Sequence, residues 1–152
     1  MPEETVQKLH DDPIKQFSIL LENKVGRFVD IIQLLESHNT HVVALTVLDT
    51  TDSAIVRLVL DDPERGRDLL KEHHIAATES DVLGVEMDAV TDLHKVLTAL
   101  LRAEINIFYI YSFLSRPHGK SALILQVDDA ECAVHVLTQN QFKVLRQRDI
   151  AR

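Results

Sequence analysis

Apolar residues alternate with polar ones near the start of the chain and then recur at helical spacing, which predicts a β-strand followed by an α-helix. The strand is predicted over residues 15–21 and the helix from residue 28 to about residue 39. The alternating positions are Phe17, Ile19 and Leu21, and the helical ones are Phe28, Ile31, Ile32 and Leu35. The segment between them therefore predicts a loop, in which Gly26 allows a sharp turn or the close approach of a ligand.

The rest of the first half adds a hairpin, a helix and a strand. Two strands are predicted over residues 41–49 and 53–61, joined by a short polar turn that is typical of a β-hairpin. Asp62 and Pro63 open a second helix, as the N-cap and the first helical residue, and this helix runs to about residue 73. A further strand begins near Ile75. The resulting β-α-β-β-α-β order is that of a ferredoxin-like unit.

The second half of the chain repeats this order. One constant shift along the sequence superposes the apolar positions of the first helix on Leu93, Val96, Leu97 and Leu100. A slightly larger shift, after an insertion in the hairpin, superposes Asp61 and Asp62 on Asp128 and Asp129. Strands are predicted over residues 82–87, 106–115, 120–128 and 142–148, and helices over 91–103 and 129–139, with Thr91 as an N-cap. Corresponding positions in the same order indicate a duplication.

We therefore predict an α+β protein built from two tandem ferredoxin-like units, each an antiparallel sheet with helices on one face. The first unit covers residues 15–81, the second covers residues 82–152, and residues 1–14 form a flexible tail. In this topology the strand after the first helix lies at a sheet edge. The two runs at these positions, residues 41–48 and 105–114, contain no Lys, Arg, Asp or Glu. Because exposed edges usually carry charge, we expect these edges to pair with each other or with a second chain, as in a homodimer.

Composition narrows the class of protein. Apolar residues make up 45% of the chain and charged residues 26%, as in a soluble globular protein. A net charge of −8 without a basic cluster argues against binding to nucleic acid or to an anionic membrane. The single cysteine, Cys132, forms no intrachain disulfide, and its helical position favours a packing role. Neither a signal peptide nor a membrane span is visible, so we expect a cytoplasmic protein.

Catalytic and metal-binding motifs are absent from the sequence. The eight histidines form no pair at helical spacing that a cysteine or nearby carboxylate would complete, so no metal site is predicted. Capping and complementarity with the helix dipole explain the two Asp-Asp pairs at the helix starts. No phosphate-binding glycine loop or nucleophile elbow is present, so we predict neither a cofactor nor an enzyme.

The repeat, the element order and the loop Glu22–Phe28 together resemble the ACT domain family, over residues 15–149 as two tandem copies. The family loop commonly reads Asn-x-Pro-Gly-x-Leu. Asn23, Gly26 and Phe28 match it, whereas Val25 replaces proline. The family's second strand often opens with Asn-Ile, where the first unit has His41 and Val42. The second unit has Asn106 and Ile107 at this point, but its loop, residues 87–93, lacks glycine.

This resemblance implies a stand-alone regulatory protein that binds an amino acid or a similar small ligand between paired units. Asn23 is expected to accept an α-amino group, and the backbone amides from Val25 to Phe28 to hold a carboxylate. Lys24 and Arg27 either attract that carboxylate or are surface residues, and His41 either donates to the ligand or lies on an exposed edge. Asn106 is expected to complete the site across the unit interface. The alternative is a small subunit that docks onto a partner enzyme and binds no small ligand.

Overall fold

The computed structural model describes residues 11–22 and 26–151, which form seven strands and five helices. Most of the predicted tail and the loop residues Asn23, Lys24 and Val25 lie outside the described residues. The strands are β1 (Ile14–Glu22), β2 (Val42–Asp49), β3 (Ser53–Leu60), β4 (Thr78–Met87), β5 (Ile107–Ser112), β6 (Ser121–Val127) and β7 (Lys143–Leu145). The helices are α1 (Arg27–Ser37), α2 (Pro63–Glu72), α3 (Asp92–Arg102), α4 (Ala130–Gln139) and α5 (Gln147–Ile150).

The chain forms two compact units. The first contains Lys15–Asp81, and the second contains Val82–Ile150 together with residues 11–14. Strand β4 begins in the first unit and ends in the second. The strand predicted near Ile75 therefore starts later, at Thr78, and runs without a break into the one predicted at Val82. The two helices of each unit pack against its antiparallel sheet, so the predicted α+β ferredoxin-like fold is confirmed.

In the first unit the strands lie in the order β2-β3-β1-β4. Helices α1 and α2 bury an apolar stripe against this sheet. The buried residues of the two helices include Ile31, Leu35, Leu69 and Leu70. Glycine at position 66 of α2 suits this packing, because a Cβ atom there would clash with the end of the buried Leu60 side chain.

In the second unit the order is β5-β6-β4-β7, which is the same topology. Helices α3 and α4 cover the sheet with Val96, Leu100, Val134 and Leu137. The shifts predicted from the sequence superpose α1 on α3 and α2 on α4, and the helices of each pair begin and end at corresponding residues. Strands β2 and β5 each lie at an edge of their sheet, as predicted. The partner of each edge stays a prediction.

The predicted strand over residues 142–148 is wrong at its end. Strand β7 stops at Leu145, and the short helix α5 follows. The backbone N–H of Gln147 donates to the Asp12 carbonyl at 2.9 Å, and that of Arg148 donates to the Asp12 carboxylate at 2.9 Å. The Asp149 carboxylate accepts the N–H of Arg146 at 2.7 Å. These contacts satisfy the backbone donors of this segment without a strand partner.

Each of the four long helices ends in the same way, with a non-glycine residue in the left-handed conformation. These residues are Asn39, His74, Glu104 and Gln141, with φ angles between 56° and 67°. The next residue donates its N–H to a carbonyl in the last turn of the helix, as in Thr40 to Leu35 at 2.9 Å. This is the Schellman arrangement, and it satisfies carbonyl groups at the helix end.

Candidate functional site

The loop between β1 and α1 ends at Gly26, which has φ 90° and ψ −16°. This left-handed conformation favours glycine. A Cβ atom built on Gly26 meets no atom within 4 Å, so among the described residues the backbone angle, and not crowding, requires glycine here. The Gly26 carbonyl accepts the N–H of Asp30 at 3.0 Å and so begins the hydrogen bonding of α1.

The first turn of α1 has no cap from the N-cap residue, because Gly26 has no side chain to accept its N–H groups. Such a turn carries partial positive charge and favours an anion. Arg27 is exposed and Asp30, in the same turn, is exposed as well. Phe28 is partly buried and packs against the core of the first unit. Of the predicted loop site, the structure thus places Gly26 and Arg27 at the surface and Phe28 towards the interior.

The equivalent loop of the second unit is closed by its own carboxylate. Asp92 Oδ2 accepts the backbone N–H groups of Asp88 and Ala89, each at 3.1 Å. In the repeat, Asp92 corresponds to Arg27, and Asp88 and Ala89 correspond to Asn23 and Lys24. A carboxylate of the chain therefore occupies two backbone N–H groups of the second loop.

Thr91 lies at the N-cap position of α3, as predicted, but it does not cap the helix with its side chain. Thr91 has helical angles (φ −64°, ψ −17°) and its side chain makes no cap hydrogen bond. The carboxylate of Asp92, the next residue, accepts N–H groups that precede the helix and so does not replace a cap at Thr91. By contrast, Asp62 and Asp129 cap α2 and α4 as predicted, accepting the N–H groups of Arg65 and Cys132 at 3.1 Å.

A second set of charges surrounds this loop. Lys120 Nζ lies 2.7 Å from Asp88 Oδ1 and 3.6 Å from Glu86 Oε1. The hydrogen bond to Asp88 raises the pKa of Lys120, which keeps the lysine charged. The Glu86 side chain is only 7% exposed and also lies 3.4 Å from His118 Nδ1. Lys120 thus pairs with two carboxylates beside the loop of the second unit.

The residues that open β2 and β5 are held by the first aspartate of each Asp-Asp pair. Asp61 Oδ1 accepts the N–H of His41 at 2.8 Å, and Asp61 Oδ2 lies 2.9 Å from His41 Nδ1. Asp128 Oδ1 accepts the N–H of Asn106 at 3.0 Å. The sequence prediction assigned both aspartates of each pair to the helix, and it missed this role for the first one. The sequence contained one signal for this role. Each of these aspartates ends a predicted strand, and that strand forms a hairpin with the edge strand.

His41 and Val42 lie in the first unit with the α1 loop, and Asn106 lies in the second unit. Val42 packs against the same core cluster as Phe28. Asn23, Lys24 and Val25 lie outside the described residues, so their role in binding stays a prediction, as do those of His41, Val42 and Asn106. No group of three or more His, Cys, Asp or Glu residues within the described ranges is placed to hold a metal ion. No helix of the described residues is long and apolar enough to cross a membrane.

Comparison with known proteins gives one family and several related structures. A model of the ACT domain pair matches residues 13–152. A solved protein structure from Bacteroides thetaiotaomicron is 29% identical, with a TM-score of 0.83 over 93% of this chain and 97% of that one. The regulatory subunits of aspartate kinase from Thermus thermophilus and Thermus flavus are 14% and 16% identical, with TM-scores of 0.60 and 0.56. Each covers 85% of this chain and 93% of the other. No curated protein matches the chain.

Proposed function

Since the chain belongs to the ACT domain family as a pair of these regulatory ligand-binding domains, we propose that it senses a small amino-acid-like ligand. The ligand binds at the β1–α1 loop of the first unit, and the protein itself is non-catalytic. Binding is coupled to the pairing of the domains or of two subunits.

The observation that carries this proposal is the carboxylate of Asp92 in the second unit. Its Oδ2 accepts two backbone N–H groups of its own loop, each at 3.1 Å, and these groups correspond to those of Asn23 and Lys24, just before the amides proposed to hold the ligand carboxylate. In the first unit the corresponding residue is Arg27, whose guanidinium cannot accept a hydrogen bond. Arg27 therefore cannot fill the first loop as Asp92 fills the second, and in the proposal a ligand carboxylate does so.

The charges at the start of α1 suit a ligand that carries both signs. Arg27 and the amides of the first turn attract a carboxylate, and Asp30 lies in the same turn to attract an ammonium group. In the proposal Asn23 accepts the α-amino group, while Lys24, Val25 and Gly26 line the loop. Phe28 fixes the loop by packing its ring against the core. His41, Val42 and Asn106 remain proposed contributors to the site.

Coupling to subunit pairing is proposed from the edge strand β2. Its last residues include Val47 and Leu48, which are 48% and 50% exposed, and the strand carries no charge before Asp49. An uncharged, partly apolar edge is suited to a second copy of the same strand. The ligand shifts this pairing only if it binds the paired form more tightly than the free form.

A docking subunit is the second candidate, and the surface of β5 favours it. Phe108 and Ile110 of β5 are 60% and 39% exposed, and Leu114, two residues beyond the strand, is 64% exposed. Such apolar residues on one edge are typical of contact with another protein. In this case a partner enzyme covers the strand, and the first loop binds no small molecule.

A thermal-shift screen against the twenty amino acids separates these two functions. A ligand at about 100 times its dissociation constant stabilises the folded state by roughly 2.7 kcal/mol, which raises the melting temperature visibly. We expect the shift to disappear in Asn23→Ala and Gly26→Ala. Gly119→Ala is the matched control, because Gly119 also has positive φ, at 74°, and open space for a Cβ atom. A wild-type protein that folds but responds to no amino acid would favour the docking subunit.

A further inference from the structure

The second unit contains a groove of about 640 Å³ between α3 and α4 that the proposed function does not use. Its floor is formed by Ala99, Ala103 and Val136, with the half-buried Phe142 at one side. Three basic residues line its rim: His94, Lys95 and Arg102. The volume falls in the range that holds small organic ligands in proteins.

The charge of this groove is opposite to that of the chain. No Asp or Glu of the described residues lines it, although the net charge of the protein is −8. Arg102 is exposed and makes no ion pair or hydrogen bond within the described part of the chain. Lys95 is 70% exposed, and its contact with Asp92, at 3.6 Å, is longer than a hydrogen bond. Arg102 is therefore available to an anion at the rim, and Lys95 is available in exchange for its ion pair with Asp92.

The duplication provides an internal comparison for the groove. In the repeat, Ala99 corresponds to Leu34 and Ala103 corresponds to His38, which are larger side chains. His38 Nδ1 lies 3.0 Å from the Leu34 carbonyl, so this side chain folds back over its own helix. The basic residues Lys95 and Arg102 correspond to Asp30 and Ser37. The fold itself thus requires neither the small floor residues nor the cations of the second unit.

We propose that this groove binds a small organic anion that is distinct from the ligand of the first unit. Its carboxylate or phosphate group contacts Lys95 and Arg102, and its flat apolar body lies on Ala99 and against the ring of Phe142. Thr98 and Asn140, which also line the groove, supply polar contacts at the wall. This gives the two units different ligands, so that one chain responds to two signals.

Isothermal titration of the full chain tests the proposal with three probes: adenosine 5′-monophosphate, indole-3-acetate and inorganic phosphate. We expect at least one of the two aromatic anions to bind at least tenfold more tightly than inorganic phosphate. Binding of only the nucleotide assigns a phosphorylated ligand, and binding of only indole-3-acetate assigns a carboxylate. If neither aromatic anion binds more tightly than inorganic phosphate, the proposal is wrong.

Three variants show where the probe binds. Arg102→Glu is expected to weaken binding at least tenfold, whereas Arg116→Glu, an equal charge change at an exposed arginine outside the groove, changes it less than twofold. Thr98→Trp fills the groove from its wall and is expected to weaken binding as strongly. Because the chain has no tryptophan, its fluorescence also reports whether this variant is folded. Equal affinities of Arg102→Glu and Arg116→Glu, or full affinity of folded Thr98→Trp, would overturn the proposal.

Discussion

Removing the carboxylate of Asp61 is expected to destabilise the protein far more than removing that of Asp128. The two residues correspond in the duplication, and each accepts the N–H of the residue that opens an edge strand. Asp61 is 6% exposed and also contacts the imidazole of His41 at 2.9 Å, whereas Asp128 is exposed. The pair therefore compares the same backbone contact in a buried and in a solvated setting.

The expected magnitudes follow from these contacts. A hydrogen bond to a charged group contributes about 1.5–3 kcal/mol, and a buried donor left without a partner costs a further about 1–3 kcal/mol. Desolvation of the Asp61 carboxylate offsets part of this sum, so we expect Asp61→Ala to cost about 3 kcal/mol. Water can replace the Asp128 carboxylate, so Asp128→Ala should cost about 1 kcal/mol. Asp61→Asn keeps one acceptor oxygen and should lie between these values.

Urea denaturation followed by circular dichroism at pH 7 measures all three variants. A loss of about 3 kcal/mol corresponds to a fall in melting temperature of roughly 6–12 °C, and a loss of about 1 kcal/mol to roughly 2–4 °C. If Asp61→Ala and Asp128→Ala lower the free energy of unfolding equally, burial does not set the strength of this contact and the reasoning is refuted.

Three further substitutions test the energetics of the fold. The hydrogen bonds from Arg67, at 2.6 and 2.7 Å, lower the pKa of Glu79. They stabilise the folded state by about 0.5–1 kcal/mol above about pH 5, and this stabilisation is lost as the pH falls through the folded-state pKa. Glu79→Gln should then have a lower melting temperature than wild type at pH 7 and the same melting temperature at pH 2. Thr40→Val removes a buried hydroxyl that has no hydrogen-bond partner among the described residues, so it should raise the free energy of unfolding by about 1 kcal/mol in urea denaturation, and a decrease would show that the hydroxyl is bonded. Glu104→Gly relieves left-handed strain at the end of α3 and should raise stability by about 0.5–1 kcal/mol, and an unchanged melting temperature would argue against strain there.

The repeat and the order of elements could be predicted from the sequence because they depend on local periodicity. The apolar spacing placed all four long helices, and short-range chemistry placed the caps Asp62 and Asp129. The end of β7 could not be predicted in this way. It depends on contacts of Gln147 and Arg148 with Asp12, which lies near the opposite end of the chain.

The candidate site was less accessible to sequence reasoning. Gly26 could be identified because its conformation excludes most side chains, and the lack of glycine in residues 87–93 already distinguished the second loop from the first. The reason for that difference lay in Asp92, whose side chain turns back to the loop instead of towards solvent. The groove on α3 and α4 was invisible to sequence patterns, because it arises from alanines on one helix facing a second helix.

The two units thus have diverged from a common pattern. The first keeps a loop that ends in a left-handed glycine and has arginine, not a carboxylate, at position 27. The second closes its loop with Asp92 and has instead a basic groove on its helices. Together these differences support one amino-acid-like ligand in each chain, bound at the first unit.

The most direct test of this account is to give the first loop the carboxylate of the second. Wild type, Arg27→Asp and Arg27→Asn are compared by thermal shift against the twenty amino acids. The account predicts that an amino acid stabilises wild type and Arg27→Asn, and that Arg27→Asp gives no shift, because its own carboxylate occupies the loop amides. A ligand-induced shift in Arg27→Asp as large as that in wild type would contradict the account.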